Sequence, residues 1–169
     1  MPPNIKKLVF LFQNLLLISV FIVLFSPNIL ADKQIISPYF GSIKWNKVNV
    51  RTGPGQQYPI EWEFHRKNLP IEIISKYENW LKIRYLDQDT GWVHQRLVSK
   101  SRYVMISGST QILRSNPDNS SKAILIVEDK VLAKLLSCNQ KWCKVSIKQK
   151  NGWILKNYLW GVYPDEILE

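Results

Sequence analysis

The sequence predicts an all-β chain, two tandem small units of short strands behind an N-terminal signal helix. Three observations predict it. A short apolar strand that ends in arginine and runs into a turn occurs twice, at Val48-Asn49-Val50-Arg51-Thr52-Gly53-Pro54-Gly55 and at Ile112-Leu113-Arg114-Ser115-Asn116-Pro117-Asp118. Each copy is followed by a lone tryptophan, Trp80 or Trp142, and then by Gly91-Trp92-Val93 or Gly152-Trp153-Ile154. The copies lie 63 residues apart at the arginines, 62 at the first tryptophans and 61 at the second. So steady an offset marks a duplicated unit. Finally, apolar and polar residues alternate in short runs between Gly, Pro, Asn and Asp punctuation, the pattern of half-buried strands.

The elements follow in order. Residues 1–31 read as a signal peptide: Lys6 and Lys7 form a positive start, Leu15 to Phe25 an apolar core, Pro27-Asn28 a break, and Ala31 the small residue before a cut. The alternative is an uncleaved membrane anchor, since the apolar run from Leu8 to Phe25 is just long enough to span a bilayer. Either way the remainder is exported, to a periplasmic location, and meets a membrane only if the segment is retained. Residues 32–42 read as a tether, with Trp45 opening the first packed strand.

The first domain is expected over 43–101. Val48 and Val50 alternate with polar residues, and Thr52-Gly53-Pro54-Gly55 turns, glycine supplying positive φ. Tyr58-Pro59-Ile60 is expected in a long loop. Leu69 to Ile74 is a strand, Glu78-Asn79 a turn, and Trp80 to Tyr85 a strand. Asp87 to Thr90 is a hairpin loop, Gly91 to His94 a short strand, and Gln95 to Val98 a single helical turn. The second domain, 102–169, repeats this order. Arg102 to Ser107 bridges the copies and can supply a strand to either. A unit of about 60 residues is marginal alone, so the copies are expected to pack on each other or to share that strand.

These residues resemble the bacterial SH3-like (SH3b) domain, in its exported tandem-repeat form. Val50-Arg51-Thr52-Gly53-Pro54-Gly55, Trp80-Leu81-Lys82-Ile83 and Gly91-Trp92-Val93-His94 carry the resemblance in the first copy. Leu113-Arg114-Ser115-Asn116-Pro117, Trp142-Cys143-Lys144-Val145 and Gly152-Trp153-Ile154 carry it in the second. The closing segment from Leu159 to Glu166 also looks like one seen in exported tandem proteins of this type. The second copy departs at Asn116 and Asp118, where Asn tolerates left-handed backbone. The resemblance implies small, strongly bent five- to six-stranded barrels. It also implies a binding or targeting role toward peptidoglycan or another envelope partner, without catalysis.

Charge and chemistry narrow the function. The whole chain carries +10, and without Lys6 and Lys7 the exported part carries 21 basic against 13 acidic side chains. A basic exported protein meets anionic envelope polymers; export argues against nucleic acid, the usual partner of a basic cytosolic domain. Cys138 and Cys143 flank an expected hairpin in an oxidising compartment, so a disulfide is expected across it, with two free core thiols as the alternative. No His lies in the second copy to complete a metal site with them. His65 and His94 lie in the first copy, where there is no Cys, which argues against a Cys–His nucleophile pair. Asp87/Asp89 and Asp165/Glu166 sit in turns or at the terminus, not opposed across a cleft. No catalytic residues and no cofactor are assigned.

The candidate ligand-binding residues are therefore aromatic. Trp62 has no aromatic echo, Leu125 standing in its place; with Tyr58 and Tyr85 it can form a groove, joined by Trp92 and Arg51, and the alternative is that it packs against the second unit. Arg51 and Arg114 are alternatively structural, bonding the carbonyls of the turn that follows. The function expected is a non-catalytic exported module that recognises peptidoglycan or another envelope component. The alternative is an adaptor that docks another envelope protein through Trp160 to Glu169.

Overall fold

The computed structural model describes residues 36–86 and 89–169. The expected leader, its cleavage point and Asp87 lie outside the described residues. The described residues form one compact unit holding both copies. Its regular elements, among the described residues, are strands and two 3-10 turns.

The first copy contains β1 (Tyr39–Ile43), β2 (Val48–Arg51), β3 (Ile60–Phe64), β4 (Pro70–Tyr77), β5 (Trp80–Arg84), β6 (Thr90–His94), a 3-10 turn at Gln95–Leu97, and β7 (Val98–Ser99). The second contains β8 (Tyr103–Ile106), β9 (Gln111–Arg114), β10 (Ala123–Val127), β11 (Leu132–Cys138), β12 (Trp142–Ile147), β13 (Lys150–Leu155), a 3-10 turn at Lys156–Tyr158, and β14 (Leu159–Trp160). The two seven-stranded sheets have the same order, β3-β2-β6-β5-β4-β1-β7 and β10-β9-β13-β12-β11-β8-β14. Equivalent backbone bonds recur as well: Gln95 N–H donates to Asn79 and Lys156 N–H to Lys141, at 2.8 and 2.9 Å.

Five expectations are corrected. The end of the expected tether is β1, whose Gly41, Ser42 and Ile43 are buried between β4 and β7. Trp45 does not open a strand; it is 54% exposed in the following loop, with the Lys44 ammonium 5.8 Å over its ring. The stretch expected as a long loop contains β3, where Ile60, Trp62 and Phe64 alternate with Glu61 and Glu63. Gly53 and Gly55 do not take positive φ. Their lack of a side chain serves close approach instead, since a Cβ on Gly53 would stand 2.4 Å from the Tyr58 ring. Asn116 likewise keeps an ordinary backbone. The second turn is held by hydrogen bonds, with the Ser121 hydroxyl donating toward the carbonyls of Asn116 and Asp118.

Each copy has its own core. Val48, Val50, Phe64, Ile71, Ile73, Ile83 and Val93 fill the first; Leu113, Val127, Ala133, Val145 and Ile154 fill the second. The glycine of each Gly-Trp pair allows the sheet to close, because strands meet there at short range. A Cβ on Gly91 would lie 2.4 Å from Val50, and one on Gly152 would lie 2.6 Å from Leu113.

The bridging strand joins the cores. β8 pairs with β11 and β14, so its hydrogen bonds belong to the second sheet. Its side chains alternate across that sheet: Val104 and Ile106 enter the second core, while Met105 enters the first. β11 and β14 repeat this division. Ala133 and Leu159 face the second core, Leu132 and Trp160 the first. The wall they meet comes from β1 and β4 of the first copy. Trp160 sets its edge on Phe40 with centroids 5.2 Å apart, and its indole N–H donates to the Pro70 carbonyl at 3.2 Å.

Candidate functional site

Arg51 and Arg114 are built into the scaffold. Each guanidinium donates to a carbonyl seven residues on, Arg51 to Tyr58 at 2.6 Å and Arg114 to Ser121 at 2.9 Å. The same bond in both copies ties the end of β2 or β9 to its turn. This is the structural role that the sequence offered as the alternative to ligand binding.

The other candidates divide between two sides of the first sheet. Trp62 pairs with the buried Val50, and Arg51 pairs with Trp92. Since successive residues point to opposite faces, Trp62 lies on the core side, while Trp92 shares the outer face with Arg51 and Lys82. Trp62 is half-buried; its ring reaches the place where a Cβ on Gly91 would be, at 3.1 Å. It meets Phe64 edge-on at 6.4 Å, and Phe64 meets Tyr85 at 5.1 Å. Trp62, Phe64 and Tyr85 thus form an aromatic ladder at the rim of the first core. Phe64, its buried centre, was not singled out from sequence; the alternation of Trp62 and Phe64 with glutamates was the signal. Tyr58, 40% exposed, lies beside Gly53. The second copy has no such ladder, for Leu125, Val127 and Ile147 stand in the equivalent places.

The histidines have local partners. His94 Nδ1 accepts from the Arg96 backbone N–H at 3.2 Å, and its ring stands edge-on to Trp80 at 5.4 Å. His65 is exposed, 3.4 Å from Glu63. Cys138 and Cys143 are directly opposed on β11 and β12 and form the disulfide, with Cα atoms 4.1 Å apart. The described residues contain no group of His, Cys, Asp and Glu that could hold a metal ion.

The closing segment turns back on its own chain. Cys138 and Leu168 exchange two backbone hydrogen bonds, at 2.7 and 3.0 Å. The Arg102 guanidinium grips both oxygens of Glu166, at 2.5 and 3.1 Å, and also donates to the Gly161 carbonyl. Burial pushes the Glu166 carboxyl up, but the Arg102 hydrogen bond, the Tyr163 N–H and the Arg102 charge outweigh it and hold the carboxyl below its ordinary range. The Tyr163 hydroxyl donates to Glu72 at 2.9 Å, and Glu72 lies 2.8 Å from the Arg84 guanidinium. Burial first, then this bond to an anion, raises Tyr163 well above an ordinary phenol. Trp160, Tyr163 and Glu166 are therefore engaged within the molecule, while Asp165 and Ile167 of the same segment stay exposed.

The bacterial SH3 domain matches the chain twice, over residues 44–100 and 107–161. No curated protein matches. Solved structures similar to the chain include NlpC2 from Trichomonas vaginalis, at 13% identity and a TM-score of 0.35, over 73% of this chain and 48% of that one. An NlpC/P60 family protein from Bacillus cereus is similar at 15% identity and 0.32, over 72% and 55%. NlpC1 from Trichomonas vaginalis is similar at 12% and 0.35, over 76% and 48%. The chain spans about half the length of these structures.

Proposed function

The chain belongs to the bacterial SH3 domain family, and on that premise we propose that it is a non-catalytic exported module that binds peptidoglycan or another anionic cell-envelope component. The aromatic ladder of the first copy carries this reading. The second copy builds the same barrel with Leu125, Val127 and Ile147, so the fold has no need of Trp62, Phe64 and Tyr85 as aromatics. Two half-buried rings flanking a buried third give a rigid, partly wet apolar edge, of the kind that holds sugars and peptides at low entropic cost. Trp62 and Tyr85 are proposed as the contact residues, with Tyr58 and Trp92 at the margins. The net positive charge supplies attraction to anionic polymer, and the disulfide suits an oxidising compartment.

The test is co-sedimentation of the protein with intact peptidoglycan sacculi across a salt series. Pelleting that persists at physiological ionic strength, and that Trp62→Leu abolishes, is the expected result. Leucine is what the second copy uses at this place, so the variant keeps the fold. Attraction by net charge alone fades as salt screens it. No pelleting at any salt overturns the reading.

A further inference from the structure

Each copy has a cleft at the same place, where the 3-10 turn meets the last short strand. In the second copy it measures about 530 Å³ and is lined by Lys141, Leu155, Lys156, Asn157 and Leu159, with Val162 and Pro164 of the closing segment. This cleft is served from within. Lys156 is 5% exposed, and its ammonium donates to the carbonyls of Pro164 and Glu166 at 3.2 and 2.7 Å. Its cation is thus matched by oxygens of the chain's own tail.

The cleft of the first copy measures about 480 Å³, and Tyr39, Lys76, His94, Arg96, Ser99 and Lys100 are among its lining residues. The equivalences are direct: Arg96 stands where Asn157 does, and Lys76 where Cys138 does. No carboxylate lines this cleft. Among the described residues, the side chains of Lys76, Arg96 and Lys100 have no ion-pair or hydrogen-bond partner. Three cations therefore surround one concavity without the oxygens that the second copy supplies to its own.

We propose that this cleft binds the phosphate monoester of a phosphorylated sugar. A guanidinium presents a planar fork that matches two phosphate oxygens, and the lysines add point charges around it. A volume of this size suits a ligand on the scale of one sugar ring. Tyr39, 42% exposed, also lines the cleft and supplies an aromatic side chain for the ring's C–H edge; Ser99 lines it too, its hydroxyl oxygen accepting from the Ser101 N–H at 3.1 Å. The inference deepens the envelope-binding reading and rests on it for the compartment in which such sugars are met. Its site is separate from the aromatic ladder.

The test is isothermal titration of the protein, purified as the producing cell exports it, with glucosamine 6-phosphate, glucosamine and inorganic phosphate at physiological salt. Glucosamine 6-phosphate is expected to bind, glucosamine not at all, and inorganic phosphate more weakly. Arg96→Ala should weaken binding roughly tenfold, the scale of a lost hydrogen bond to a charged group. Lys150→Ala, which removes the same charge from an exposed position on β13, should leave it unchanged. Equal losses in the two variants would reduce the effect to net charge and overturn the proposal. So would equal affinity for inorganic phosphate, or no binding of the sugar phosphate. Sacculus pelleting is read separately: if it persists without sugar-phosphate binding, only the cleft assignment fails. Sugar-phosphate binding without pelleting leaves the cleft standing and removes the wall-binding reading.

Discussion

The two copies share a strand order and differ in how their equivalent walls are filled. Where they meet, the second copy presents Met105, Leu132 and Trp160, and the first presents Ser42, Pro70 and Ser99 at the matching register positions. Large side chains on one wall stand where the other has small ones. At the rim of the cores the contrast reverses: the first copy has Trp62, Phe64 and Tyr85, the second only aliphatic residues. A duplicated scaffold has thus divided its labour. The second copy is stapled by its disulfide and its tail and buttresses the first. The first keeps its aromatic rim and its cationic cleft uncovered by any comparable tail. Duplication makes this possible, because each copy supplies the fold that frees positions in the other.

The largest expected effect breaks the seam. Met105 is 2% exposed and belongs to the first core although it follows the first domain in sequence. Met105→Ser, which gives it the identity of its counterpart Ser42, removes a buried apolar side chain and is expected to cost about 2 to 4 kcal/mol. Chemical denaturation followed by amide signals from both copies checks it. Loss of both together is expected; retention of the first copy's full stability would show that its core does not depend on the neighbour.

Next comes the staple. Cys138→Ser with Cys143→Ser is expected to lower stability by about 2 kcal/mol, the loop-closure value for so short a span. It should also speed hydrogen exchange at Leu168, whose amide is bonded to Cys138. The first copy has Lys76 and Leu81 at this place, so its exchange should change less.

A smaller effect separates scaffold from site. Arg51→Ala and Arg114→Ala each remove a bond to a turn carbonyl and should cost about 1 kcal/mol apiece, measured by thermal melts. If Arg51→Ala also abolished sacculus binding at unchanged stability, the arginine would be a ligand contact and the symmetry of its role would fail.

The smallest is a pH dependence confined to the tail. The Glu166 carboxyl is held below its ordinary value in the folded chain. Its contribution is therefore present above the unfolded value near 4.5 and is lost as pH falls through the lower folded one. Glu166→Gln should flatten the acid limb of the stability curve below about pH 4.5. An unchanged limb would mean that the Arg102 pair adds nothing.

Legibility in the sequence followed the range of the interaction. The disulfide, the 3-10 turn at Gln95–Leu97 and the arginine-to-carbonyl bonds depend on residues at most seven positions apart, and sequence spacing reports them. β3 was missed because Tyr58-Pro59 reads as loop and drew the alternation of Ile60, Trp62 and Phe64 in with it. β1 was missed because Ser37-Pro38 and Gly41-Ser42 look like linker, although Gly41 is there so that β1 can approach Ser99 and Ile73. The ladder is half legible: the sequence singles out Trp62 and Tyr85, but Phe64, which joins them, lies on β3, which the sequence reads as loop.

By itself the sequence determined that the chain is all-β and duplicated, with a glycine before a tryptophan in each copy, and it pointed to a cross-link between Cys138 and Cys143. Those properties are set by period, by local turns and by near neighbours along the chain. Only the tertiary structure decided that β8 bonds within one sheet while feeding Met105 to the other copy's core, and that the closing segment folds back onto Arg102, Lys156 and Cys138. A run such as Tyr103-Val104-Met105-Ile106 says that both faces of a strand are buried. Which core each face meets depends on how the two barrels dock, and docking is a matter of shape between residues far apart in the chain.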